Sequence, residues 1–92
     1  MSGQLGEPWH VDWSGPAVRD LRRLDRQTAG RVRDAVLRLA TTGQGDVRRL
    51  HGVNPPEWRL RVGEWRVRFA YDAAAHTIQV LRVLPRGRAY RA

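Results

Sequence analysis

Four arginines, at 59, 61, 66 and 68, alternate with Trp58, Leu60, Val62, Trp65, Val67 and Phe69 in the stretch WRLRVGEWRVRF. A guanidinium is a permanently charged planar fork that grips phosphate oxygens two at a time. Alternation of charged and apolar residues is the period of a strand with one wet and one buried face. Only Gly63 and Glu64 separate the two runs. A Gly-X pair suits a two-residue type II′ turn, because glycine takes the positive φ of the first central position. A bend of that length sets Arg61 opposite Arg66 and Arg59 opposite Arg68, all on one side, with the apolar partners facing helices on the other. Like charges opposed at about 5 Å destabilise a sheet by ~0.2–1 kcal/mol per pair. The expected remedy is an anionic ligand that supplies the missing counter-charge. The alternative is a solvated face whose long side chains splay apart and cover apolar surface.

Further basic residues follow. Arg82 points away from Leu81 and Val83, and Arg86, Arg88 and Arg91 bracket Tyr90. Arginines beside an aromatic can clamp phosphates and stack a splayed base, the usual way of holding single-stranded RNA. Cleaving RNA without metal needs a base to free the 2′-hydroxyl, cations for the phosphorane charge, and neutralisation of the leaving 5′-oxygen. Arginine is a poor base. Tyr90 serves if neighbouring cations favour its phenolate. If the chain cleaves RNA, as the family resemblance given below implies, the expected catalytic set is Arg61 and Arg66 on the phosphate, Arg86 at the leaving side, and Tyr90 as base or stacking platform. Arg59, Arg68, Arg82, Arg88 and Arg91 are expected to bind the RNA. His51 is either a substitute base or a loop residue making a backbone hydrogen bond, and His10 and His76 are read as incidental. No His, Asp or Glu group has metal-ligand spacing and no Ser-His-Asp or glycine-rich phosphate loop occurs, so neither metal nor cofactor is expected.

The bulk numbers agree. Seventeen basic against nine acidic residues give a formal net charge of +8, which suits a polyanionic partner. Every basic residue is arginine. The lack of lysine is read as coding bias, so the argument rests on where the arginines sit. The chain of 92 residues, 41% apolar, has room for one modest core. It has no cysteine and no apolar run of the roughly 20 residues that span a membrane. Its first residues do not pattern as a secretory signal. A cytoplasmic protein without membrane contact is expected.

Around the arginine hairpin the pattern predicts a strand over 9–13, helices over about 16–24 and 27–41, a loop over 41–56, strands over 58–62 and 65–71, and a last strand over 77–84. Ser14 is a natural N-cap with Pro16 in the first turn, and Gly43 and Gly45 end the second helix. Val18, Leu21, Leu24, Val32, Val36 and Leu39 form the helical apolar faces. The four tryptophans are read as core rather than base platforms. The expected fold is α+β, strand-helix-helix-strand-strand-strand, with two helices on one face of a small, mainly antiparallel twisted sheet. Residues 1–8 are expected to be disordered and 9–92 to form the single domain.

These residues carry a resemblance. The element order, RRLHG at 48–52, WRLRVGEWRV at 58–67, VLRV at 80–83 and RGRAYR at 86–91 resemble the RelE/ParE superfamily of type II toxins, most closely the RelE-type branch of ribosome-dependent mRNA endonucleases. The resemblance runs from Trp9 to Arg91. It implies that Arg59, Arg61, Arg66, Arg86 and Tyr90 stand where the family places its basic residues and terminal tyrosine, acting on mRNA in the ribosomal A site. It also implies a cognate antitoxin with an acidic or amphipathic segment, and operator DNA bound only by the toxin–antitoxin complex. Many relatives carry a histidine just before the post-strand arginine, where this chain has Pro85. The sister ParE-type branch inhibits DNA gyrase. An inactive basic nucleic-acid-binding module is the third reading.

Overall fold

In the computed structural model, residues 7–88 are described. The expected disorder of residues 1–8 falls almost wholly outside that span, as do Tyr90 and Arg91. The elements are β1 (His10–Trp13), α1 (Gly15–Arg22), α2 (Arg26–Thr42), β2 (Asp46–Arg49), β3 (Trp58–Val62), β4 (Trp65–Asp72) and β5 (Thr77–Pro85), followed by a 3₁₀ turn over Arg86–Arg88. The sheet runs β1-β5-β4-β3-β2, with β1 parallel to β5 and the other pairs antiparallel.

The caps explain where the helices begin and end. The Ser14 hydroxyl accepts from the Ala17 amide at 3.1 Å, and Asp25 accepts from the Thr28 amide at 3.0 Å. Gly43, at φ 76°, closes α2 in the left-handed region that an L-residue disfavours. Both helices cover one face of the sheet. Ala17, Val32, Val36, Leu39 and Ala40 meet Leu60, Val67, Phe69, Ile78, Val80 and Val83 in one cluster. Trp9, Trp13, Trp58 and Trp65 pack against its rim, half-buried. At ~1.5–3 kcal/mol for each fully buried large aliphatic or aromatic side chain, this cluster is the main stabilising contribution.

The expected loop over 41–56 needs correcting, because it contains β2. Asp46 pairs with Arg61, Val47 with Leu60 and Arg48 with Arg59, so the hairpin strand β3 is interior rather than an edge. The sheet therefore has five strands where four were expected.

At the other edge, β1 pairs only with Thr77–Val80. Beyond that point α1 takes over the exposed edge of β5. The Ser14 hydroxyl donates to the Leu81 carbonyl at 3.0 Å, and Asp20 accepts from the Val83 amide at 2.8 Å. Leu81 is an extra residue between Arg82, opposite Arg68, and Val80, opposite Phe69. This bulge lets the second half of β5 leave β1 and meet the helix.

Candidate nucleic-acid interface

The β3–β4 bend forms as its two residues dictate. Gly63 has φ 58°, Glu64 is not among the positive-φ residues, and Val62 pairs with Trp65. Register follows from the bend. Arg61 pairs with Arg66 and Arg59 with Arg68 on the face away from the helices. The added strand extends the pattern, since Arg48 pairs with Arg59 and Arg68 with Arg82. Four arginines, 48, 59, 68 and 82, thus stand in one rung across β2, β3, β4 and β5.

Part of the electrostatics corrects the expectation that a ligand supplies all the counter-charge. The protein supplies much of it. Arg59, 8% exposed, donates to the Asp46 carbonyl at 3.0 Å and to its carboxylate at 3.2 Å. Arg68 lies 2.7 Å from Glu57. Arg82 reaches back to Asp20 of α1 through Nε at 2.8 Å and Nη2 at 3.1 Å. Burial of Asp20 pushes its carboxyl upward, but the Arg82 fork, the Val83 amide and the Arg23 charge outweigh that and hold it below the ordinary carboxylate value. The same pairing raises Arg82 above the ordinary guanidinium value. Arg82 is thus a strut between sheet and helix, a role its sequence context did not suggest.

Arg66 differs from these three. It is 8% exposed, yet its Nη1 donates only to backbone carbonyls, Gly63 at 2.8 Å and Trp65 at 3.0 Å. Among the described residues no carboxylate pairs with it. Its cross-strand neighbours are Arg61 and Leu84. Arg61 has a 54% exposed side chain and only a loose contact with Asp46, at 3.9 Å. Arg86 arrives at the same end: its amide donates to the Glu64 carbonyl at 2.9 Å, and its side chain, 64% exposed, lies 3.6 Å from the Glu64 carboxylate. Arg61, Arg66 and Arg86 therefore gather around the Gly63–Glu64 bend. Arg88 lies just beyond, beside a groove lined by Asp20, Arg23, Leu24 and Trp65.

His51 is not part of that gathering. It follows β2 at the far end of β3, in a groove of about 250 Å³ with Arg48, Arg49, Leu50 and Arg59. His76 stacks on Trp9 with centroids 4.2 Å apart, and its Nε2 is 2.9 Å from the Glu7 carbonyl, so it closes the β4–β5 turn. Tyr71 lies against Trp9 and Trp58, and burial pushes its phenol up, which makes it a poor base. Tyr90 and Arg91 lie outside the described residues. Sequence reasoning passed over Arg48, Asp46, Glu57 and Asp20. The first was quoted only as part of RRLHG, although its spacing from Asp46 across Val47 is a strand alternation.

Two helices on one face of a mostly antiparallel five-stranded sheet, with arginines in register on the other, define the RelE/ParE class of toxin. Residues 11–90 match the family described as ParE toxin of type II toxin-antitoxin system, parDE, and the chain belongs to that family. It is 28% identical to Toxin RelE of Mycobacterium tuberculosis over 92 aligned positions, covering 91% of this chain and 88% of that protein. A chain of the archaeal RelE–RelB complex from Pyrococcus horikoshii is similar in fold, with a TM-score of 0.73, 25% identity, and coverage of 89% of this chain and 99% of that one. A chain of the toxin–antitoxin complex RelBE2 of Mycobacterium tuberculosis gives a TM-score of 0.76 at 23% identity, over 87% and 93%. Both the superfamily and the fold class inferred from sequence are thus established.

Proposed function

We propose that this type II toxin is a metal-independent, ribosome-dependent endoribonuclease that cleaves mRNA by 2′-hydroxyl attack on a phosphate held by arginines. The observation that carries the reading is Arg66, a nearly buried cation with carbonyl partners and no carboxylate among the described residues. A charge taken from water without a counter-ion costs several kcal/mol, and a phosphodiester lodged between Arg61 and Arg66 removes that cost. Neighbouring cations at the bend are worth most where charge develops on the phosphorane. Arg86, at the same end, neutralises the leaving 5′-oxygen. Tyr90, four residues past Arg86 in sequence, is the base or stacking platform. His51 stands at the other end of β3 and takes no part in this step.

The relatives solved as RelE–RelB complexes support a cognate antitoxin here, with an acidic or amphipathic segment over the arginine face or the adjacent helices. The toxin acts as one domain over residues 9–92 in the cytoplasm, and only its complex with antitoxin binds operator DNA. The family description favours a second reading, a ParE-like gyrase inhibitor.

One assay separates the two. Purified protein is added to a translating extract, mRNA 5′ ends are mapped by primer extension, and gyrase cleavage complexes are scored in parallel. Cuts within ribosome-bound codons are expected, lowered about 10²–10³-fold by Arg66→Gln and reduced by Arg86→Ala and Tyr90→Phe. Gyrase complexes without mRNA cuts would overturn the proposal.

A further inference from the structure

The internal counter-ions divide the arginine face into a neutralised middle and two cationic ends. Arg59, Arg68 and Arg82 face Asp46, Glu57 and Asp20. One end is the Arg61–Arg66–Arg86 group. The other is Arg48, exposed on the sheet's outermost strand and without an ion-pair partner among the described residues. Arg48 shares the groove of about 250 Å³ with Arg49, Leu50, His51 and Arg59. Leu50 is a buried floor, fixed by its amide donating to the Glu57 carbonyl at 2.9 Å. Arg49 is held over the Trp58 ring at 5.8 Å.

We infer that this groove is a second phosphate-binding site, taking a backbone phosphate of RNA remote from the one cleaved, with Arg48 as its fork and His51 as its second donor. The inference rests on the ribonuclease reading and extends it to how the substrate strand lies. Four residues along β5 and three strand spacings separate the Arg48 level from Arg86. At about 3.3 Å per residue and 4.8 Å per strand that is roughly 20 Å, too far for one phosphate to serve both ends. An extended strand crossing the rung meets both, and the neutralised middle leaves it free of tight contacts between them. An RNA strand fits better than an acidic peptide, because a planar fork beside an imidazole on a shallow apolar floor matches a phosphate with its neighbouring base.

The test uses the full-length ¹⁵N-labelled protein and a 2′-O-methyl hexaribonucleotide, which 2′-attack cannot cleave. Amides of Val47 to His51 are expected to shift along with those around Arg61 and Arg86. Arg48→Ala, an exposed change on an outer strand, should abolish the first set and keep the second. It should weaken binding about tenfold and lower the slope of log affinity against log salt by about 0.7, the value for one phosphate on single-stranded nucleic acid. Arg48→Lys should restore the slope. Shifts confined to Arg61 and Arg86 would overturn the second site and leave the ribonuclease reading standing. No shifts at either end would overturn the second site, while the ribonuclease reading, which requires the ribosome, stands or falls on the primer-extension assay. Shifts at Val47 to His51 with an aspartate-rich peptide but not with the oligonucleotide would make the groove a protein site and overturn the inference.

Discussion

Replacing Asp20 tests whether helix and sheet are locked by charge. Its carboxylate, 7% exposed, accepts from Arg82 Nε, Arg82 Nη2 and the Val83 amide at 2.8, 3.1 and 2.8 Å. Asp20→Ala strands the Val83 N–H at a strand edge already covered by α1, a loss of about 1–3 kcal/mol. The Arg82 side chain is 40% exposed and can rehydrate. Its share therefore sits near the ~1 kcal/mol of an accessible pair rather than the ~3–5 of a fully buried one. The sum is about 2–4 kcal/mol, or roughly 10–25 °C in Tm for a domain of this size. Asp20→Asn keeps an acceptor for Val83 and should cost about 1–2 kcal/mol. The sign with pH follows from the lowered carboxyl. A carboxylate whose folded value lies below its ordinary 3.8 adds stability above that pH and loses it as pH falls through the folded value. Urea unfolding of wild type, Asp20→Asn and Asp20→Ala at pH 7 and near pH 3 is the assay. The wild-type advantage over Asp20→Asn should shrink at the lower pH. An Asp20→Ala cost under about 0.5 kcal/mol, in the range of ordinary surface changes, would refute the reasoning. So would a pH-independent gap between wild type and Asp20→Asn.

Other outcomes are expected from the same geometry. Gly63→Ala meets no atom within 4 Å, so its cost is the positive φ alone, about 1–2 kcal/mol by urea titration, and Gly63→Asn should cost less. Leu60→Ala, at a 1% exposed core position, should lose about 2–5 kcal/mol in thermal or urea melts. Glu57→Gln releases Arg68 from its 2.7 Å partner and should tighten RNA binding at low salt, read by fluorescence anisotropy, while costing about 1 kcal/mol of stability.

The hairpin was legible because its register is a local property. A two-residue Gly-X bend leaves one pairing that keeps Leu60, Val67 and Phe69 inside, and the observed partners are those. The helices were equally legible, since their caps lie within three residues of what they cap. Strand β2 was not. DVRR has one half-buried apolar residue, Val47, and no flanking run to betray a period. The ion pairs were illegible for a different reason. Asp46 lies 13 residues from Arg59, Glu57 lies 11 from Arg68 and Asp20 lies 62 from Arg82, and only the assembled sheet brings them together. Asp20 was within reach in one respect: three positions after Ala17, it falls on the stripe of α1 that faces inward. The grouping of Arg86 with Arg61 and Arg66 also depended on β5 lying next to β4.

The placement of β5 between β1 and β4 bears on synthesis. Among the described residues β1 has no sheet neighbour except β5, and α1 docks through contacts that Leu81, Arg82 and Val83 provide. A nascent chain still lacking those residues has an unpaired leading strand and an undocked leading helix. Completion of the architecture therefore waits until Pro85 has cleared the exit tunnel, and a prematurely released fragment should be a target for proteolysis rather than a working toxin.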